Sequence, residues 1–197
     1  MNTTEINATF SVAINTINAH IALAESNFDS PAVKYVHFER EGDILRIIST
    51  NGRVLLLTQT ETICNLPTPA ENFNFDVRGM MKVSAKRAMT LGDAQVALFT
   101  INDGLLQSGD VIAKVTESKF PEWRKVVTTP SNLEPETAWR SLNPKYYALA
   151  LKFTDDDNGK AKRKRGEENG PVYFVGESKK GAFQEANMAA VMPLRHV

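Results

Sequence analysis

Apolar positions along the chain follow two alternating rhythms. Ile14, Ile17, Ile21 and Ala24 recur at intervals of three and four, which places them on one helical face. Beyond Pro31 the period shortens to two, predicting strands over residues 33–38, 44–49 and 53–58. Glu41-Gly42-Asp43 and Asn51-Gly52 separate these strands, and Asn-Gly between alternating runs is a hairpin signal because both residues tolerate positive φ. The pattern then repeats. A helix is predicted from residue 78 to about residue 91, ended by Gly92, with strands over 95–101, 104–108 and 111–117 and a turn at Asn102-Asp103-Gly104. A third helix is predicted from Pro144, a residue suited to a first helical turn, to about Phe153. Strands are expected after it over 172–177, 181–186 and 188–192. A short strand-like entry precedes each helix, over 9–12, 74–77 and 138–142. These entries end at Val12, Val77 and Leu142, which are 65 residues apart (77 − 12 and 142 − 77). Each unit therefore reads as strand, helix and three strands, a repeat within one chain.

Two segments interrupt the rhythm. Residues 130–135, with Pro130 and Pro135 at their ends, read as a linker, so the chain is divided into 1–131 and 132–197, the former made of halves over about 1–68 and 69–131. Residues 155–170 run from Asp155-Asp156-Asp157 through Lys162-Arg163-Lys164-Arg165 and contain nothing that can bury a core, so a solvated, mobile basic loop is expected there.

Composition excludes more than it identifies. A chain of 197 residues can bury a core, and its 42% apolar and 23% charged content are those of a globular protein. Lys+Arg and Asp+Glu each total 23, so attraction to nucleic acid has to come from charge distribution. The single cysteine, Cys64, removes an internal disulfide and a Cys-based zinc site. No signal-peptide pattern and no apolar run of about 20 residues is present, so an intracellular, cytoplasmic protein without a membrane partner is expected. His20, His37 and His196 fall in no catalytic or metal spacing and the glycines form no nucleotide loop, so neither an enzyme nor a metal or cofactor site is expected.

Three separated segments carry the functional signal. Thr50-Asn51-Gly52-Arg53-Val54-Leu55 is a turn entering an apolar strand. Phe120-Pro121-Glu122-Trp123-Arg124-Lys125-Val126 is an aromatic-proline turn carrying two cations. Val191-Met192-Pro193-Leu194-Arg195 is an apolar tail fixed by a proline. Taken singly, the first reads as a hairpin turn, the second as turn and core, and Met192 as core. Together they look like parts of a small apolar groove rimmed by positive charge. They also resemble the segments Thr-Asp-Gly-His-Arg-Leu, Phe-Pro-Asp-Tyr-Arg-Arg-Val and Val-Met-Pro-Met-Arg of bacterial DNA sliding clamps, the beta subunit of DNA polymerase III. Asn51, Arg53 and Val54, and His196 and Val197 after Arg195, depart from that pattern.

The resemblance implies an α+β DNA clamp (processivity) fold of three repeated half-domains, in a shortened form of the family. Units one and two correspond to the middle clamp domain, and unit three to the second half of the last. It implies a peptide-binding pocket at Thr50, Gly52, Leu55, Pro121, Lys125, Val126, Val191, Met192, Pro193 and Leu194, with Arg124, Lys125 and Arg195 offering charge to acidic neighbours. Its partners would be a replicative polymerase and a clamp loader, through short linear motifs. Clamps also encircle duplex DNA without reading its sequence. Arg78, Lys82 and Lys86, spaced i, i+4 and i+8, form one stripe with Arg87 alongside, and Lys145 and Lys152 lie two turns apart on the third helix, so these six are the expected DNA-facing cations. The first helix, by contrast, carries no Lys or Arg. Twelve half-domains per ring and three per chain imply a homotetramer. A bacterial protein, with a phage or plasmid as a further source, is implied. The alternative from another class is a non-ring adaptor or decoy that sequesters clamp-binding peptides or caps a clamp.

Overall fold

The computed structural model describes residues 8–26, 33–41, 44–61, 72–76, 89–91, 94–102, 105–108, 111–116, 119–136, 141–154, 162–165, 167, 170–176 and 185–194. In the first unit the order is β1 (Ala8–Ala13), α1 (Ile14–Glu25), β2 (Tyr35–Glu41), β3 (Ile44–Thr50) and β4 (Val54–Glu61). Ile14, Ile17, Ile21 and Ala24 are buried, as their spacing requires. The second unit contributes β5 (Asn72–Asp76), β6 (Met89–Leu91), β7 (Ala94–Asn102), β8 (Leu105–Ser108) and β9 (Val111–Thr116). The third contributes β10 (Leu133–Pro135), α2 (Pro144–Thr154), β11 (Lys162–Lys164), β12 (Val172–Val175) and β13 (Glu185–Val191), after single 3-10 turns at Trp123–Lys125 and Pro130–Asn132.

Among the described residues the strands form one hydrogen-bonded path, β1-β7-β8-β9-β5-β2-β3-β4-β13-β12-β11-β10, with β6 also on β7. Entry strands are exchanged between the first two units, for β1 lies on β7 and β5 on β2. The first and third units meet strand to strand. β4 and β13 pair antiparallel from Val54↔Val191 to Thr60↔Glu185.

Helices α1 and α2 pack on one face of this junction. Leu23 of α1 joins Ala150 and Phe153 of α2 over Val54, Leu56, Ala189 and Val191. Strand alternation sends the intervening residues to the opposite face, where Tyr35, Ile48, Leu55, Leu57, Met188 and Ala190 form a second cluster under Phe120 and Trp123. A buried polar chain lies on the helix side. His20 Nε2 and Nδ1 are 3.0 Å from Thr58 Oγ1 and 2.9 Å from Ser49 Oγ, and Thr58 donates to Asn187 Oδ1 at 2.6 Å. Thr58 and Asn187 are register partners across the junction. A one-residue slip would turn one of the two to the opposite face and break this polar chain, so the chain favours the observed register.

The structure corrects several local expectations. Residues 89–91, expected to end the second helix, are strand β6, and the rest of that predicted helix, 78–88, lies outside the described residues. Ser141 and Leu142, expected to end an entry strand, have no regular structure, and residues 138–140 lie outside the described set. The entry strand is instead β10, inside the expected linker. The expected irregular basic segment contributes β11, whose Lys162–Lys164 backbone pairs with β10 on one side and β12 on the other. Backbone pairing is indifferent to side-chain charge, so composition hid this strand. Two strands expected over 181–186 and 188–192 are one strand from Glu185, residues 181–184 lying outside the described set. Among the described residues the third unit thus has a strand, a helix and three strands, assembled from different residues than expected.

Candidate functional site

The turn between β3 and β4 is built locally. Asn51 Oδ1 accepts from the Arg53 and Val54 N–H groups at 3.1 and 3.0 Å, and Gly52 adopts φ +79°, open to glycine without strain. Thr50 Oγ1 donates to the Val54 carbonyl at 2.9 Å and accepts from the Gly52 N–H at 3.1 Å. This turn receives the end of the chain's last strand. The Met192 N–H donates to the Arg53 carbonyl at 2.8 Å, and the Leu194 N–H donates to Ser141 at 2.8 Å. Asn143 Oδ1 caps α2 through the Lys145 N–H at 3.0 Å, with Pro144 at the first helical position.

The 120–127 segment folds onto the face opposite the helices. Phe120 and Trp123 are both buried, and Val126 and Val127 pack against the same cluster. Tyr173 donates its hydroxyl to the Val126 carbonyl at 2.5 Å, and burial pushes that phenol up to about 12. Phe120 stacks on His37 with ring centroids 4.8 Å apart and planes 11° apart. His37 Nδ1 lies 2.6 Å from Asn74 Oδ1, and desolvation holds the imidazole below its ordinary range despite the neighbouring Glu39.

Two of the three segments singled out by sequence therefore meet on the outer face of the β4–β13 junction, opposite the helices, and the third is tied to the turn of the first through the Met192 N–H. Leu55 and Trp123 share the floor of that face with Ala190 and Met188. Met192 continues the alternation of Met188 and Ala190 and is 41% exposed, and Leu194 is 43% exposed. Val126 and Pro193 are half-buried, and Gly52, Pro121 and Lys125 are exposed. Two of the ten expected pocket residues stand elsewhere. Val191 is fully buried on the helix face beside Val54 and Phe153, and Thr50 is buried with its hydroxyl spent on the turn. Sequence reasoning did not single out His37, Glu39 or Tyr173. Only the alternation of Tyr35, His37 and Glu39 on β2 hints that the first two acid–base groups share a face.

Two of the three cations expected to meet acidic partners are already paired. Arg124 bonds Glu39 and lies over Trp123 at 4.6 Å, and Lys125 pairs with Glu122. Arg195 lies outside the described residues. Of the expected DNA-facing cations, Lys145 and Lys152 are exposed on α2, whereas Arg78, Lys82, Lys86 and Arg87 lie outside the described residues. Among the described residues no group of three His, Cys, Asp or Glu side chains is placed to hold a metal, and no helix is long and apolar enough to cross a membrane.

No family model matches this sequence, and no curated protein matches it. Solved structures do. The DNA polymerase III beta subunit of Thermotoga maritima superposes with a TM-score of 0.59 at 14% identity, covering 96% of this chain and 66% of that one. The Helicobacter pylori beta clamp bound to a DNA ligase peptide gives 0.66 at 11% identity, with the same 96% and 66% coverage. A sliding clamp from Pseudomonas aeruginosa with ligand gives 0.57 at 14% identity, covering 95% and 66%. The chain spans 66% of the length of the clamps it matches. These superpositions span nearly the whole chain: it has the α+β fold of the DNA polymerase III beta subunit sliding clamps.

Proposed function

We propose that this chain is a DNA sliding clamp, a non-enzymatic processivity factor that binds partner peptides on the outer face of the β4–β13 junction. The observation that carries the reading is that Leu55 and residues 120–127 pack into one apolar cluster on that face, while Met192, bonded to the Arg53 carbonyl of the adjoining turn, and Leu194 stay exposed. Exposed apolar side chains beside such a cluster suit anchors of a short linear motif. On this reading, with unit boundaries near 68 and 131, the groove lies between a complete domain and a third half-domain. Four chains would then supply a twelve-unit ring around duplex DNA, with Lys145 and Lys152 toward the phosphates and Arg78, Lys82, Lys86 and Arg87 as further contacts. Replicative polymerase and clamp loader are the expected peptide donors, in a bacterial cytoplasm.

The test uses a fluorescein-labelled DNA ligase peptide of the kind bound by the Helicobacter pylori clamp. Anisotropy should report binding to the full chain and its loss when residues 192–197 are deleted. That deletion removes the Met192 and Leu194 backbone bonds but leaves the paired strand β13 complete. Binding that survives it would refute the site. Light scattering well above micromolar concentration should give the mass of four chains, and electron microscopy a closed ring.

One observation favours the second reading, a non-ring adaptor or decoy. Helix α1, a counterpart of the helices that would face DNA, presents Asn15 and Ala22 to solvent and has no cation. A particle of one or two chains that still binds the peptide would select that reading.

A further inference from the structure

Glu39 is an unusual residue for an outer sheet face. It is 4% exposed, on β2, and its neighbours are cations from two other elements. Oε1 bonds Arg124 of the 3-10 turn and lies 3.6 Å from Arg46 Nη1 of β3. Oε2 is buried without a hydrogen-bond donor, with His37 Nε2 at 3.9 Å. Arg46 also holds Glu41 at 2.7 Å. Two guanidinium groups and two carboxylates therefore share this patch, and with His37 neutral their formal charges cancel. The Lys125–Glu122 pair beside it cancels too.

Geometry makes the Arg124 contact directional. The guanidinium lies over the Trp123 ring at 4.6 Å while one nitrogen bonds Glu39, so the group is held by two contacts at once. Trp123 and Phe120 are the aromatic floor of the candidate groove, and Phe120 stacks on the imidazole whose Nε2 lies 3.9 Å from the same carboxylate.

We propose that Glu39 is a positioning and specificity-determining residue of the groove: it holds Arg124 over Trp123 and cancels its charge, so the site takes an apolar peptide without favouring an acidic flank. This rests on the peptide-binding reading above. An unpaired arginine at that point would attract carboxylates, and a charge at a partly exposed rim changes affinity by only a few-fold. The expected effect is therefore a change of preference rather than loss of binding.

The experiment compares the DNA ligase peptide with a copy extended by two aspartates. The wild-type protein should bind both within about twofold. Glu39→Gln should shift the ratio toward the extended peptide by about threefold to fivefold at low salt, and Glu39→Gln with Arg124→Gln should return it to the wild-type value. A general loosening of the fold would not be reversed by the second substitution. A ratio within about 1.5-fold of wild type in Glu39→Gln would overturn the proposal. If the wild-type protein binds neither peptide, the groove reading fails, and the pinning is judged by a double-mutant cycle on unfolding. Coupling of about fivefold or more between Glu39→Gln and Arg124→Gln in the unfolding equilibrium constant supports it, and less than about twofold overturns it.

Discussion

Acid should weaken this fold through one histidine. His20 is wholly buried on α1, between Ser49 and Thr58 and edge-on to Phe153 at 5.2 Å. Thr58 spends its hydroxyl proton on Asn187, so it accepts from His20 Nε2–H, and Nδ1 in turn accepts from Ser49. The neutral ring is thereby satisfied, whereas a second proton would have no acceptor unless Ser49 turned. Burial lowers the pKa from 6.5 to about 3. As pH falls below about 6.5 the unfolded chain takes up a proton that the folded chain refuses until about 3, so stability is full above that window and declines within it. At about pH 5 the gap of about 1.5 pH units below 6.5, at about 1.36 kcal/mol each, gives a loss of about 2 kcal/mol. Urea unfolding at about pH 7.5 and about pH 5, for wild type and His20→Gln, isolates this contribution. His37, also lowered, adds a loss of the same sign to both proteins and cancels in the difference. Wild type should lose about 2 kcal/mol more than the glutamine variant. Equal losses would refute the buried neutral imidazole, as would an NMR titration of the His20 ring with a midpoint above about pH 5.

Two glycines separate conformational from steric cost. Gly52→Ala meets nothing within 4 Å but forces an L residue to φ +79°, so denaturant unfolding should show a loss of about 1 kcal/mol. At Gly176 a Cβ would stand 2.3 Å from the Thr154 carbonyl oxygen, and Gly176→Ala should cost about 3 kcal/mol or yield insoluble protein. Trp123→Ala removes a buried aromatic from the outer cluster and should cost about 3 kcal/mol by the same assay, together with peptide binding. If the chain binds duplex DNA, Lys145→Ala with Lys152→Ala should lower the salt dependence of that binding, each lost phosphate contact reducing the log–log slope by about 0.9. An unchanged slope would remove both residues from the interface.

The sequence by itself determined what depends on near neighbours. The helical face of α1, the Asn51-Gly52 turn and the Pro144 start of α2 follow from spacing, positive φ and a missing N–H, all set within a few residues. The three candidate segments were also legible, because each carries its own turn chemistry and apolar composition. Tertiary structure decided the rest. Lys162–Lys164 becomes a strand because β10 and β12 supply backbone partners that no local pattern announces. Val191 turns from the groove to the helix face because its register with Val54 fixes its side of the sheet. Arg124 lost its expected freedom to Glu39, 85 residues earlier in the chain. The β4–β13 junction likewise joins Thr58 to Asn187 across 129 residues. Local sequence sets which faces are apolar, but which faces meet, and which charges are spent before a partner arrives, is fixed only when distant strands pair.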